Sequence, residues 1–156
     1  MRTTSYSYTH RLAAAVAAAS FAFSASGALA ADKELVIGIN DALTGPGAVY
    51  GLPQANAVNL AAKEINDAGG IKVGADTYKL KVISNDDKAA PTEATNSVRK
   101  LIDRDGVKYL LGFCCSGSTS AVTSFIGKED AVMLVGNAAE RSITTQGLFN
   151  LYRTRP

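Results

Sequence analysis

The chain has 156 residues, with 16 basic and 14 acidic side chains, 47% hydrophobic residues, one histidine and two cysteines. Arg2, Arg11 and the only histidine, His10, all lie in the first thirty residues, so positions 31–156 carry equal numbers of basic and acidic side chains. Without a basic field that part is not expected to bind nucleic acid, and without imidazole it excludes Ser-His-Asp and Cys-His catalysis and histidine-ligated metal.

Residues 1–30 read as a secretory signal peptide. Basic residues precede an apolar run from Leu12 to Phe23, and Ala28-Leu29-Ala30 supplies the small-residue cleavage pattern, which places the start of the exported chain at Ala31. The apolar run is too short to span a bilayer as a helix. The remaining residues suffice for one modest domain with a core of its own.

Along that domain strand and helix patterns alternate. "ELVIGIN" (34–40) is a short β-branched run, as expected of a buried parallel strand, and a glycine-rich loop follows it. A helix is expected from Pro53, with Ala55, Val58, Ala62 and Ile65 on one face and Gly69-Gly70 as its stop. "TYKLKVIS" (77–84) alternates as a strand and runs into Asp86-Asp87, after which Pro91 opens a helix carrying Ala94, Val98, Leu101 and Ile102 on one face and closed by Gly106. "VKYLLGF" (107–113) pairs with a helix from about Ser118 to Lys128, and "AVMLVG" (131–136) begins a fourth unit ahead of "LFNLYRT" (148–154). The expected fold is therefore α/β with a mainly parallel sheet.

Ligands of such sheets sit beyond the carboxyl ends of the strands, where the loops 41–51, 112–119 and 136–142 fall. In the first, Gly45-Pro46-Gly47 begins several residues after the strand and Pro46 lacks an N–H, so a dinucleotide fingerprint does not fit. Tyr50 at its end reads equally as core or as pocket wall. Asp86-Asp87, between a strand and a proline-initiated helix, reads as turn and capping chemistry rather than acid–base catalysis.

"GFCCSGSTSA" (112–121) carries the more distinctive chemistry. A helix starting near Gly117-Ser118 would aim the free N–H groups of Ser118, Thr119 and Ser120 at the strand edge, with the Ser116 hydroxyl among them. That is an anion cradle, unless Ser116 simply caps the helix. The adjacent Cys114 and Cys115 lack a C-x-x-C spacing, and their Cα atoms, about 3.8 Å apart, fall short of the roughly 4.4–6.8 Å of ordinary disulfides. No structural disulfide is expected.

"LTGPGAVYG", "LAAKEINDAGGI", Asp86-Asp87 followed by Pro91 and Ala94, "LIDRDGVKYLLG", "CSGST" and the terminal "LYRTRP" occur in the order and at the spacing of one family. With them the chain resembles the periplasmic solute-binding proteins of branched-chain amino-acid ABC transporters. The resemblance implies a three-layer sandwich forming the first lobe of a type I periplasmic-binding-protein fold. It also implies that residues 31–156 are an incomplete N-terminal lobe of a longer, two-lobed protein, with apolar surface left uncovered.

The implied function is that of a non-enzymatic, extracytoplasmic solute-binding component of an importer, for amino acids or related small carboxylates and amides, delivering its ligand to a membrane permease. No cofactor or metal is implied. Ser116 and the N–H groups of Gly117, Ser118 and Thr119 would hold a ligand carboxylate, Asn137-Ala138-Ala139 would supply a backbone carbonyl to an ammonium, and Tyr50 would contact the ligand side chain. Ala139 stands where many amino-acid binders have threonine, and Ala89 where some relatives carry a cysteine bridged to the position of Cys115. Alternatives from other classes are a periplasmic thiol or redox protein using Cys114-Cys115 and a non-functional fragment.

Overall fold

The computed structural model describes residues 33–155; the expected signal peptide and its cleavage point at Ala31 lie outside the described residues. Six strands form one sheet: β1 (Lys33–Asp41), β2 (Ile71–Val73), β3 (Asp76–Asp86), β4 (Tyr109–Gly112), β5 (Val132–Val135) and β6 (Leu151–Arg153). The sheet order is β2-β3-β1-β4-β5-β6. Every pairing is parallel except β2 with β3, a short hairpin that the sequence reading did not anticipate.

Three helices make the crossovers: α1 (Ala48–Asp67), α2 (Pro91–Arg99) and α3 (Ser116–Ile126). The connection through α1 leads to one side of β1 and those through α2 and α3 to the other. Right-handed crossovers therefore place α1 on one face and α2 and α3 on the opposite face. The main core fills that second face, where Val98, Leu101, Leu110, Phe113, Val122, Ile126, Met133 and Ile143 are fully buried. Arg99 of α2 stacks over the ring of Phe125 of α3, 4.2 Å from its centroid, a contact that contributes about 0.5–1 kcal/mol.

The first helix begins at Ala48 rather than Pro53, so Pro53 lies inside it. A proline this near the N-terminus removes only one intrahelical bond, to the Val49 carbonyl, which is close to solvent. Gly51 makes the early start possible, because a Cβ there would stand 2.1 Å from the Ala42 carbonyl oxygen. At the other end Gly70 N–H donates to the Ile65 carbonyl (2.8 Å) and closes the helix where the glycine pair was expected to.

Helix α2 opens at Pro91 as expected, then widens into a π-helical turn over Lys100–Arg104 that keeps Leu101 in the core before Gly106 ends it in the left-handed region. Helix α3 starts at Ser116, two residues earlier than expected, with Cys115 as its N-cap. Strand β4 is shorter than the apolar run 107–113 that announced it. Val107 and Phe113 are buried outside it as core residues. On the α1 face Leu52 and Leu60 remain exposed. Among the described residues no helix is long and apolar enough to cross a membrane.

Candidate functional site

The carboxyl ends of β1, β4 and β5 run into the three loops expected to form a ligand edge, and the structure ties these loops together. Gly112 adopts φ +122°, and a Cβ there would meet the Asn40 carbonyl oxygen at 2.5 Å, so the end of β4 lies hard against β1. Gln54 of α1 donates from Nε2 to the Gly112 carbonyl (2.8 Å), which also accepts the Gly136 N–H (2.8 Å). One carbonyl at the end of β4 thus ties the first helix and the loop after β5 together.

Beneath these loops sits a buried polar layer that the sequence analysis missed. Asp41 Oδ1 accepts the N–H groups of Ala42 and Cys114, both at 3.0 Å, and Asn40 Nδ2 donates to Asp87 Oδ2, also at 3.0 Å. Asn40 Oδ1 accepts the Ser97 hydroxyl of α2. Burial raises the Asp41 carboxyl above its ordinary range, against the lowering effect of its bonds with Cys114 and Ala42. Burial likewise raises Asp87, with the charges of Asp41 and Asp86 adding to it. The sequence signal was weak, because Asn and Asp at a strand end look like ordinary turn residues.

Asp86 and Asp87 do the turn chemistry expected of them. Asp86 Oδ1 accepts the N–H groups of Leu43 (2.8 Å) and Lys88 (2.9 Å), its Oδ2 accepts the Thr44 hydroxyl, and Asp87 Oδ1 accepts the Ala89 N–H (2.8 Å). Partial burial opposes ionisation of Asp86, yet the bonds from Thr44, Lys88 and Leu43 together hold its carboxyl below the ordinary range. Its role is to fasten the 41–47 loop to the β3–α2 turn.

At the start of α3 the donor set differs from the expected one by two residues. Thr119 N–H donates to the Cys115 carbonyl (3.0 Å), as does the Thr119 hydroxyl (2.8 Å), so this residue is spent inside the helix. The N–H groups that a helix leaves without an intrahelical acceptor are consequently those of Ser116, Gly117 and Ser118, rather than Ser118, Thr119 and Ser120. The side chains of Ser118 and Thr119 are buried, and Gly117 is exposed.

Ser116 is not the cap, since it stands at the first helical position and α3 has no side-chain capping bond. Its Oγ accepts the Glu140 N–H (3.2 Å), which leaves the hydroxyl proton to donate elsewhere. The arrangement is a half-buried set of donors with no competing carboxylate bonded to it, suited to an anionic oxygen.

The loop after β5 meets this helix start through Ser116 and Glu140. Within it Asn137 is half-buried, Ala138 is buried with its N–H donating to the Phe113 carbonyl (3.0 Å), and Ala139 is exposed. Two arginines from the end of the chain wrap the same loop. Arg153 Nη1 donates to the carbonyls of Ala139 (3.2 Å) and Glu140 (2.8 Å), and Arg155 Nη1 donates to the Asn137 carbonyl (3.3 Å) and Oδ1 (2.8 Å). Both arginines stand within "LYRTRP" but have no role in the site on the sequence reading, because their partners lie 13 to 18 residues away in the chain. Tyr50 stands on the first turns of α1 with 59% of its surface exposed, which excludes a core role.

Cys114 and Cys115 are both half-buried and unbridged. Burial, the Cys115 thiol and the Asp41 carboxyl push the Cys114 thiol far above its ordinary range. Ala89 and Cys115 both lie beside Gly47, where a Cβ would meet Ala89 Cβ at 3.1 Å and Cys115 Sγ at 3.5 Å. Among the described residues no cluster of three or more histidine, cysteine, aspartate or glutamate side chains could hold a metal ion.

Comparison with known proteins agrees with this architecture. The chain is 35% identical over 146 residues to the leucine-, isoleucine-, valine-, threonine- and alanine-binding protein of Pseudomonas aeruginosa, covering 94% of this chain and 38% of that protein. Its structure matches the branched-chain amino acid transporter substrate binding protein LivJ of Streptococcus pneumoniae, solved in complex with isoleucine. That match has a TM-score of 0.71 and 29% identity over 78% of this chain and 33% of the other.

A solute binding protein of an ABC transporter from Rhodopseudomonas palustris, in complex with 3,4-dihydroxy benzoic acid, matches with a TM-score of 0.66 and 25% identity over 77% of this chain and 31% of that one. The chain thus spans about a third of the length of the relatives it matches. The Periplasmic binding protein family profile matches residues 34–155, and the chain belongs to that family.

Proposed function

We propose that this chain is the N-terminal ligand-holding lobe of an extracytoplasmic solute-binding protein serving an ABC importer. In this reading residues 1–30 direct export, the lobe begins at Ala31, and the chain binds without catalysing a reaction. The ligand is a small carboxylate of the branched-chain amino-acid class, passed on to a membrane permease.

The observation that carries this reading is the donor set at the start of α3. The N–H groups of Ser116, Gly117 and Ser118 lack intrahelical acceptors, and the Ser116 hydroxyl is fixed from behind by Glu140 so that its proton is free to donate. A carboxylate needs donors only, and the start of α3 supplies them. Tyr50, exposed on the neighbouring helix, offers the aromatic wall. Asn137, Ala138 and Ala139 form the second loop of the site. The molecules bound in the two related structures, isoleucine in one and 3,4-dihydroxy benzoic acid in the other, share the carboxylate and little else.

A second reading, a carboxylate without an α-ammonium, is favoured by one observation. The carbonyls of Ala139 and Asn137, which would otherwise receive an ammonium, are already hydrogen-bonded by Arg153 and Arg155. A thermal-shift panel of leucine, isoleucine, valine, aromatic carboxylates, amides and urea separates the two. Stabilisation by branched-chain amino acids supports the first reading, and stabilisation by aromatic carboxylates alone supports the second. A response to amides or urea alone would overturn both.

A further inference from the structure

We propose that Cys114 and Cys115 form a reversible vicinal dithiol–disulfide couple at the junction of β4 and α3. The two Sγ atoms lie 2.6 Å apart, closer than two unbonded sulfurs normally approach, although the residues are immediate neighbours in the chain. Adjacent side chains on an extended strand point to opposite faces, so this convergence needs a local change of direction. The pair lies outside β4, in the connection to α3, just after a turned backbone in which Gly112 has φ +122° and Phe113 has φ +67°.

Both flanks of the pair are held. Cys114 N–H donates to Asp41 Oδ1 (3.0 Å), and the Cys115 carbonyl accepts Thr119 N–H (3.0 Å) and the Thr119 hydroxyl (2.8 Å). The thiols are half-buried, which leaves them open to a small oxidant. The ring closed by neighbouring cysteines is strained, because their Cα atoms are about 3.8 Å apart where ordinary disulfides span about 4.4–6.8 Å. Strained, accessible disulfides are the readily reduced ones, so the couple cycles instead of stapling the fold.

The oxidant is a disulfide, RSSR. The Cys115 sulfur, as thiolate, attacks one sulfur of RSSR, forming a mixed disulfide and expelling the first RS⁻. Cys114, whose half-buried thiol holds its proton, then gives that proton to the Asp41 carboxylate, whose Oδ2 has no other partner and which passes it on to the departing thiolate, while the first RS⁻ takes a proton from water. The Cys114 sulfur attacks Cys115 Sγ and expels the second RS⁻. In sum the two thiols give up two protons and two electrons, and RSSR becomes two RSH.

The test equilibrates the chain with mixtures of reduced and oxidised glutathione, natively and in urea, quenches with acid and reads the masses. The native chain should lose two hydrogens within the peptide containing Cys114 and Cys115. Its closure constant should exceed that in urea by about tenfold, since the folded chain already holds the sulfurs in contact. A native constant no larger than the one in urea, or glutathione adducts and linked dimers in place of internal closure, would overturn the proposal. In Cys114→Ser the resolving thiol is gone, and one glutathione should remain bound at Cys115. A variant that takes up none removes Cys115 from the role of attacking thiol, and the order of steps with it.

Discussion

The Glu140 N–H that meets Ser116 Oγ decides what this hydroxyl can do. With one lone pair engaged by Glu140, the O–H keeps its proton free to donate, whereas a capping serine would have turned its oxygen toward its own helix. Replacing Ser116 with alanine is therefore expected to weaken carboxylate binding by about 1.5–3 kcal/mol, the range for a hydrogen bond to a charged group. The melting temperature of the unliganded chain should hardly move. Calorimetric titration together with melting of the two proteins checks this, and a large loss of melting temperature with unchanged affinity would assign Ser116 a purely structural role. The buried carboxylates Asp41 and Asp87 act one layer further in, holding backbone and side-chain donors of the loops without facing them.

Among the elements, the join between the β1–α1 loop and the β3–α2 turn rests on Asp86. Its folded carboxyl lies below the ordinary value of 3.8, so the stability it contributes is complete above that value and is lost as the pH falls below it through the lower folded value. Asp41 and Asp87, raised by burial, act in the opposite sense: their protonated forms suit the fold, and stability is lost as the pH rises above 3.8 toward their folded values. Asp86→Asn should cost about 1 kcal/mol at neutral pH, discounted for the partial exposure of the site. The gap between the two proteins should shrink below pH 3.8. Urea unfolding at several pH values measures it, and a gap that widens in acid would contradict the assignment.

The elements also show where the sequence was informative. Alternating apolar periods located β1, β3, β4, β5 and the three helices, because burial on one or both faces imposes those periods directly. Helix starts were displaced, by five residues at Ala48 and by two at Ser116, since both depend on tertiary contacts: Gly51 seated against the Ala42 carbonyl, and the turned backbone at Phe113. The β2 hairpin is only three residues long and gave too short a pattern to read. Asn66 compensates for that shortness by pairing its amide with the backbone of Leu80, accepting its N–H (2.7 Å) and donating to its carbonyl (2.8 Å) where β2 no longer covers β3.

On the scale of the whole molecule, the three loops of the ligand edge were legible from topology alone, because a parallel sheet gathers its strand-end loops on one side. Their mutual bonds were not legible. Gln54 to Gly112, Arg153 to Ala139 and Ser116 to Glu140 each join positions between 14 and 58 residues apart, and no local pattern encodes such pairs. These bonds tie the end of β4, the start of α3 and the loop after β5 to one another. The lobe thereby offers a single wall for a ligand, and the affinity of one wall is expected to lie far below that of two closed around the same molecule.

The most direct measurement is nuclear magnetic resonance titration of the isotope-labelled chain with isoleucine and, separately, with the amino alcohol that lacks its carboxylate. The backbone N–H resonances of Ser116, Gly117 and Ser118 should shift with isoleucine, saturate together, and stay in place with the amino alcohol. Equal shifts with both compounds, or shifts elsewhere with these three N–H groups unmoved, would contradict the claim that the start of α3 is a carboxylate cradle.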